Sequence, residues 1–590
     1  MSWLEQVPAI PEEYQKYIPH LWVLGGGVVA YYVLSNLFSY ISILRQVRGL
    51  PVKHSFFPSY EQGLRARVPH IPYILPVKDY YSRPEWDRFE TPKSDLLVYI
   101  CATQHRAIYW TANPYTAQHV FTKTALFEKP WWMPRYTSAA KFGGNIISAP
   151  DGEDHKRHKA VIRGCFGEEI FRNAWEEMDN TVEMMLREEN LVDGGVMEDV
   201  GGMTIKVTYI VIGKVGFGHE IPWITPRTER GEESKHTNLE CESLSKYELN
   251  FVTCFPVGFV EAYEIVDRSV LYQFMLPGWL LRMLPTKKFR RMGYGQKKFL
   301  EYCYAMARGR RAELGALREA GEKAKPPTDL LGAMVHAQVL AEEEARVKNG
   351  TEAINVGLKE NEVIGNMFIF LLAGHETTGH TLAFTIAQLA LQPEWQDECY
   401  KEIKAVCGDE KPSYRDVHRL PLCLAVGLEA MRLTDIVRQL FKVAKVDSML
   451  PYNTWDDKGN VTKREHLVKA GSLVYIDTPA CQLNPFHWEN ANDFNPRRHL
   501  SGDDARASLN NADVPFVAFS MGPRQCIGRR FAEVELISFI SNVLSRYTVH
   551  PIPTHEGETK ESMRARMIDS AVEDLTMTPG LFNVRFERRK

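Results

Sequence analysis

The chain has 590 residues, of which 44% are hydrophobic and 25% charged, and its formal net charge is -3. This composition is typical of a globular protein with a sizeable core and excludes a largely disordered chain, while the absence of a basic excess gives no support to a nucleic-acid partner. The ten cysteines form no C-x-x-C pair, which argues against a zinc site of common spacing, and their low density argues against a disulfide framework.

An uncharged segment near the N-terminus, residues 21–44, predicts a membrane-spanning helix. Its 24 residues would extend about 36 Å as a helix, enough to cross a hydrocarbon core of about 30 Å with some tilt. A cleaved signal peptide has a shorter apolar stretch after a basic start, whereas this segment follows Glu5, Glu12 and Glu13. A buried core helix, the other alternative, rarely lacks charge over such a length.

The flanks of this segment predict its orientation. Arg45 and Arg48 follow it, so the positive-inside rule places the rest of the chain in the cytoplasm and residues 1–20 in the lumen. Residues 45–70 are expected to form a linker, and residues 71–590 one large domain. No other stretch is expected to be apolar enough to span a bilayer.

The large domain is predicted to be mostly α with small β-sheets. Residues 168–188 carry apolar side chains at helical spacing. Residues 453–465 and 501–513 are polar and predict loops, whereas residues 473–475 and 584–586 are β-like.

A long helical pattern, residues 361–390, contains a polar island, G-H-E-T-T-G-H at residues 374–380. Polar groups in an apolar helix are costly unless they have partners or a task, and these glycines and threonines are expected to loosen the backbone ladder. His375 and His380 are five residues apart, about 140° around the helix, whereas a metalloprotease helix needs a spacing of four. Zinc binding is therefore disfavoured, and a structural kink stays open.

The segment at residues 519–528, F-S-M-G-P-R-Q-C-I-G, is the strongest signal in the chain. Helical periodicity follows it, so Cys526 lies at a helix start, where backbone N–H groups and the helix dipole favour a thiolate. Gly522 and Gly528 would let the backbone turn tightly and approach a flat ligand closely.

Two further side chains of this segment suit a thiolate site. Phe519 would keep water from the sulfur, and Arg524 offers a forked cation for a nearby carboxylate. A buried structural cysteine is the alternative.

The pattern F-x-x-G-x-R-x-C-x-G resembles the haem-binding loop of the cytochrome P-450 superfamily, with the fungal microsomal members most similar. The resemblance implies the cytochrome P-450 fold and a haem whose iron has Cys526 as its axial ligand. In these enzymes themselves, the thiolate pushes electron density onto the iron.

The polar island resembles the A/G-G-x-D/E-T-T/S segment of the same superfamily. That implies that Ala373 and Gly374 face the haem, and that Glu376 and Thr377 form the acid–alcohol pair that delivers protons to dioxygen. A hydroxyl can accept and donate a proton, and a carboxylate can be resupplied from solvent.

Glu429 and Arg432, at i and i+3 on one helix face, resemble the superfamily's E-x-x-R. The third member of that buried, structural charge cluster is implied to be Arg498. Arg497 stands where a Glu is usual, and His499 stands where an aromatic residue is usual.

The positions that should hold the haem propionates depart from the superfamily pattern. His155 and Lys159 stand where a Trp and an Arg are usual, and Lys442 stands where an Arg follows two prolines. All three keep a donor, so propionate binding is expected of them. Asp435, in place of one of those prolines, has no interpretation from sequence.

The resemblance implies a monooxygenase of the endoplasmic reticulum membrane that inserts one oxygen atom from dioxygen into a lipophilic small molecule. The sequence has no Gly-rich dinucleotide fingerprint, which implies a separate NADPH-dependent flavoprotein reductase docking on the Cys526 side. A small electron-carrier haem protein is a second candidate donor. Two alternatives stay open: a haem-thiolate isomerase or dehydratase without a reductase, which Glu376 and Thr377 disfavour, and a non-catalytic membrane haem protein.

Overall fold

A computed structural model describes nine parts of the chain, and most of the residues in them belong to helices. The expected boundary at residue 70 lies outside them, as does nearly all of the expected lumenal tail. The described parts are residues 18–55, 86–101, 106–223, 258–320, 327–347, 357–501, 506–507, 514–573 and 575–589.

The helices include the predicted one at residues 168–188, which is confirmed. In chain order they are α1 (Ile18–Gln46), α2 (Asp87–Glu90), α3 (Pro114–Thr122), α4 (Pro134–Ala139), α5 (Glu153–Cys165), α6 (Glu168–Glu188), α7 (Val200–Phe217), α8 (Phe259–Arg268), α9 (Val270–Met275), α10 (Gly278–Met283), α11 (Lys287–Glu319), α12 (Leu330–Val347), α13 (Glu360–Leu391), α14 (Pro393–Cys407), α15 (Pro421–Leu433), α16 (Thr478–Gln482), α17 (Arg529–Leu544) and α18 (Lys560–Arg564).

The strands are short, and both predicted β-like pieces are confirmed, as β9 and β15. The strands are β1 (Val52–Ser55), β2 (Leu96–Cys101), β3 (Ala107–Thr111), β4 (Phe127–Glu128), β5 (Gly195–Met197), β6 (Gln439–Ala444), β7 (Ser448–Trp455), β8 (Val461–Val468), β9 (Leu473–Asp477), β10 (Leu500–Ser501), β11 (Arg506–Ala507), β12 (Tyr547–Pro551), β13 (Val572–Glu573), β14 (Met577–Thr578) and β15 (Val584–Arg588). The largest sheet has the order β1-β2-β3-β9-β6-β4.

The N-terminal helix α1 has the length and composition to cross a bilayer. Its middle leaves the domain, since Val23 and Phe38 are each 76% exposed, whereas Ile43 and Val47 near its end pack against the large sheet. Strand β1 pairs in parallel with β2, so part of the expected linker belongs to this sheet.

The expectation that no second stretch is apolar enough to span a membrane is wrong, because helix α7 is apolar enough. It passes the same test of length and apolarity as α1, but most of it is buried inside the domain. A helix that is apolar all round belongs either in a core or in a membrane, and only its packing separates the two.

The central helix α13 runs without interruption through the polar island, and the Thr208 hydroxyl of α7 donates to the His375 carbonyl oxygen within it at 2.7 Å. A Cβ at Gly379 would lie 2.8 Å from Ile205 Cα of α7, and a Cβ at Gly374 would lie 3.2 Å from the Ile212 side chain. These two glycines of the polar island therefore allow α7 to approach α13 closely.

The predicted loop at residues 453–465 is instead part of an antiparallel hairpin of β7 and β8, paired from Ser448↔Val468 to Trp455↔Val461. Its turn is held by Asp456 Oδ1, which accepts hydrogen bonds of 2.9 Å from the N–H groups of Lys458 and Asn460. Strand β8 is almost entirely exposed, so its sequence is mostly polar and lacks the apolar alternation that predicts a strand. Of the predicted loop at residues 501–513, the described part contributes to the short β10–β11 pair.

Candidate active site

The cysteine segment is a closed loop that ends at the N-terminus of α17. The Cys526 N–H donates to the Phe519 carbonyl oxygen at 2.9 Å, and Phe519 itself is buried. Gly522 has a φ of +68°, and a Cβ there would lie 2.6 Å from the Phe121 carbonyl oxygen. Gly522 therefore has to be glycine, as the sequence suggested.

Gly528 differs, because its φ of −86° is open to any residue. The expected turn is present at residues 527 and 528, but its backbone conformation does not require glycine, and no atom of the described residues lies within 4 Å of a Cβ placed on Gly528. The protein itself does not require glycine at this position, which leaves close approach of a ligand as the remaining reason.

The Cys526 thiol combines two properties that rarely occur together. Burial raises its pKa, opposed by the Gly528 N–H and by Arg529, yet its surface is accessible. A group enclosed by protein and still accessible lines an internal cavity. Ala373 is likewise exposed in the middle of the otherwise buried α13.

Cationic side chains gather beside this loop around one carboxylate, Asp151. Arg524 Nε donates to Asp151 Oδ1 at 2.6 Å, and the same guanidinium donates to the carbonyl oxygens of Ile146 at 2.9 Å and Ala149 at 2.6 Å. Lys159 Nζ donates to the Pro523 carbonyl oxygen at 2.6 Å. The cluster also includes Lys129, His155 and Lys442, on which the charge of Arg524 acts, and Arg135, whose charge acts on Lys129.

This cluster carries excess positive charge in a buried place. Burial and the neighbouring Arg524 lower the pKa of His155 to about 4, so the imidazole is neutral. Burial and the same arginine hold the pKa of Lys129 well below its usual value. Burial would raise the pKa of Asp151, but the Lys129 N–H and Arg524 lower it below its usual value.

Lys442 is the member that most needs a further anion. Its side chain lies on β6 and is only 3% exposed. Burial lowers its pKa, opposed by the charges of Asp151 and Glu128. Within the residues that the structure describes, its ammonium makes no hydrogen bond. A buried cation in that position is costly unless an anion approaches it, and haem carries two carboxylates.

The sequence-predicted donors His155, Lys159, Lys442 and Arg524 are thus brought to one place. Lys129, Arg135 and Asp151 were not predicted from the sequence, because none of them belongs to a motif; Lys129 and Asp151 lie in loops, and Arg135 lies in α4. Together with the accessible Cys526 thiol and the space beside Gly528, this donor set fits a flat, dianionic haem.

The predicted charge cluster lies at the C-terminal end of α15. Arg432 donates to both carboxylate oxygens of Glu429, at 2.8 and 2.9 Å, and Arg498 Nε donates to Oε1 at 3.0 Å. His499 Nε2, 2.9 Å from Oε2, is a further member that the sequence did not reveal. Burial would raise the pKa of Glu429, but hydrogen bonds from His499 and Arg432 lower it to about 2.

Glu376 and Thr377 lie on α13, where the island was predicted. Thr377 Oγ1 donates to the Ala373 carbonyl oxygen at 2.7 Å. Glu376 Oε1 accepts a 2.8 Å hydrogen bond from Thr576 Oγ1, and His380 Nδ1 lies 3.0 Å from the same hydroxyl. Nothing in the sequence pointed to Thr576 as a partner.

The family model described as Cytochrome P450 matches residues 97–571. The chain belongs to the cytochrome P450 family. It is 30% identical to Cytochrome P450 monooxygenase 124 of Postia placenta over 82% of this chain and 83% of that one. It is 25% identical to Cytochrome P450 72A15 of Arabidopsis thaliana over 75% and 74% of the two chains.

The fold agrees with this membership. The crystal structure of the cytochrome P450DA heme domain superposes with a TM-score of 0.64 at 18% identity, covering 92% of this chain and 98% of that one. The resemblance to the superfamily and the predicted, mostly α fold are therefore confirmed. As a P450, the protein is a monooxygenase whose cofactor is haem bound through a cysteine thiolate.

Proposed function

We propose that this P450 takes electrons from an NADPH-dependent flavoprotein reductase and oxidises a lipophilic small molecule at the endoplasmic reticulum membrane. The Cys526 thiolate would hold the haem iron. The observation that carries the proposal is the enclosed but accessible thiol at the start of α17.

The haem, when bound, would activate dioxygen, so that one oxygen atom of dioxygen enters the substrate and the other leaves as water, with two electrons from the reductase and two protons. The residues of this chain bind and orient the haem and keep water away from its sulfur ligand. The N-terminus of α17 and the Gly528 N–H favour the Cys526 thiolate, and Phe519 keeps water from it. Lys442, together with the N–H groups of Arg524 that make no hydrogen bond to the described residues, would hold the propionate carboxylates.

His155 and Lys159 complete the propionate site in different ways. His155 stays neutral and donates one N–H to a carboxylate. Lys159 braces the cysteine loop through the Pro523 carbonyl oxygen and adds positive charge nearby.

Proton delivery falls to α13. The Thr377 hydroxyl donates to the Ala373 carbonyl oxygen but keeps its lone pairs free to accept a hydrogen bond. The Glu376 carboxylate would take up a proton from solvent, and the resulting carboxyl group would give that proton up towards the haem site. Two different groups are needed, because the Thr377 hydroxyl orients the proton at the haem site and Glu376 exchanges it with solvent.

The partners and the location follow from the anchor and from the sequence. Helix α1 has the dimensions of a single membrane span, and Arg45 and Arg48 after it favour a cytoplasmic domain. The reductase then docks from the cytoplasm on the Cys526 side. A small electron-carrier haem protein is a second donor for the same surface.

The test is product analysis in microsomes that contain the full chain and a flavoprotein reductase, under labelled dioxygen. Terpenoids, sterols, fatty acids and aromatics are supplied in turn. We expect an NADPH-dependent product that carries one labelled oxygen atom. A rearranged or dehydrated product without label, formed from a peroxide substrate and without NADPH, would favour the isomerase or dehydratase alternative. No product from any class, despite a normal haem, would favour a non-catalytic haem protein.

A further inference from the structure

The Glu376 carboxylate is hydrogen-bonded by a residue from the other end of the chain. Thr576, which lies between β13 and β14, donates to Glu376 Oε1 at 2.8 Å. The next residue, Met577, is buried, and its N–H donates to the Ile436 carbonyl oxygen at 3.0 Å. The hairpin that carries Thr576 is therefore fixed to the segment that follows α15, and the hydroxyl is held in place.

The same hydroxyl has a second partner, His380, one turn after Glu376 on the same face of α13. His380 Nδ1 lies 3.0 Å from Thr576 Oγ1, and both side chains are buried. A hydroxyl has one proton to donate, and an ionised carboxylate can only accept. Since the Thr576 proton points at Glu376, the Thr576 oxygen has to accept from His380, which requires the tautomer with its proton on Nδ1.

His380 acts in this chain of hydrogen bonds as a neutral donor. Burial and the nearby His375 lower the pKa of His380 to about 3, so the ring carries no charge at physiological pH. It therefore orients the Thr576 hydroxyl without neutralising the carboxylate beyond it. Glu376 keeps its capacity to take up a proton while its Oε1 stays in a fixed position.

We propose that Thr576 and His380 are positioning residues that hold the Glu376 carboxylate in the orientation from which it transfers protons. The inference deepens the proposed function, on which it rests. It explains why the island ends in a histidine four residues after Glu376, and it gives the β13–β14 hairpin a role in proton transfer.

The test uses infrared difference spectroscopy of the reduced holoprotein with carbon monoxide as the bound probe. The band of the Glu376 carboxyl group is first assigned by its loss in Glu376→Gln. We expect Thr576→Val, which keeps the side-chain shape but removes the hydroxyl, to shift this band and to broaden it. Thr576→Ser, which restores the donor, should return it to the wild-type position.

Thr385→Val is the matched control. Thr385 is a buried threonine on the same helix, and its hydroxyl donates only to the Thr381 carbonyl oxygen, at 2.7 Å. It should leave the carboxyl band unchanged. His380→Leu removes the ring that donates to the Thr576 hydroxyl, and it should shift the carboxyl band in the same direction as Thr576→Val.

The inference is overturned if Thr576→Val and His380→Leu both keep the wild-type carboxyl band, or if the serine variant fails to restore it. Loss of haem from both variants would also overturn it, in favour of a purely structural role. Failure of the proposed function looks different, because the wild-type holoprotein would then form no NADPH-dependent product that carries labelled oxygen, whatever the position of its carboxyl band.

Discussion

Replacing Glu429 by alanine removes the centre of the buried charge cluster. Its carboxylate accepts two hydrogen bonds from Arg432, one from Arg498, one from His499 and one from the Asn495 N–H, all between 2.8 and 3.0 Å. Once the carboxylate is gone, Arg432 keeps two carbonyl partners but remains charged and completely buried.

The magnitude follows from that geometry. Removing one partner of a buried pair costs about 3–5 kcal/mol, because the other charge stays buried without compensation. The Asn495 N–H and the His499 ring also lose their acceptor, so the upper end of this range is expected. Typical net stabilities are about 5–15 kcal/mol. We therefore expect Glu429→Ala to unfold at a much lower temperature and to accumulate with little haem.

The assay compares thermal unfolding and haem content with Glu398→Ala. Glu398 pairs with Arg497, adjacent in sequence to Arg498, at 2.6 Å, but both side chains are exposed. An exposed pair contributes about 0–1 kcal/mol, so this control should behave as the wild type does. If Glu429→Ala unfolds at the same temperature as the control and binds haem normally, the reasoning from burial is refuted.

Three further predictions concern the site itself. Lys442→Met removes a buried positive charge, and the protein should then bind haem about ten- to a hundredfold less tightly, since a hydrogen bond to a charged group contributes about 1.5–3 kcal/mol. Transfer of haem to an apo-globin measures this, and an unchanged transfer rate would contradict the propionate role. Thr377→Val should keep its haem but release more hydrogen peroxide per NADPH and form product at least several times more slowly, since positioned acid–base groups contribute about 10²–10⁴-fold; unchanged coupling would exclude this hydroxyl from proton delivery. Burial raises the pKa of Asp435 to about 7, despite a hydrogen bond from Gln482, so the contribution of this residue to stability falls as the pH rises from about 4 to about 7. Asp435→Asn should therefore gain up to about 4 kcal/mol relative to the wild type over that window, and a difference in thermal stability that does not vary with pH would contradict this.

The elements that the sequence predicted are those whose pattern is local. The cysteine loop, α13 and α6 each combine periodicity with a motif or a boundary within one stretch of chain. Strand β8 was missed because its exposed side chains carry no apolar alternation. Helix α7 was not predicted as a second candidate span. Whether such an apolar helix lies in a core or in a membrane depends on what packs against it, which the sequence does not show.

The parts of the site that escaped prediction depend on contacts between distant segments. His499 looked like a departure from the family's aromatic residue, and only the fold shows that its ring nitrogen lies against Glu429. Asp151 is an ordinary loop carboxylate until Arg524, 373 residues later, donates to it. Thr576 and Glu376 are 200 residues apart. Such pairs cannot be read from spacing, because the tertiary fold alone brings them together.

Binding of the haem iron by the Cys526 thiolate can be measured from the absorption spectrum of the reduced, carbon monoxide-bound protein. We expect the red-shifted Soret band of thiolate ligation in the wild type and in Cys407→Ser, a control at a cysteine that is neither fully buried nor in the loop. Cys526→Ser should lose that band. An ordinary imidazole-like band in the wild-type holoprotein, or a red-shifted band that survives in Cys526→Ser, would show that Cys526 is not the ligand.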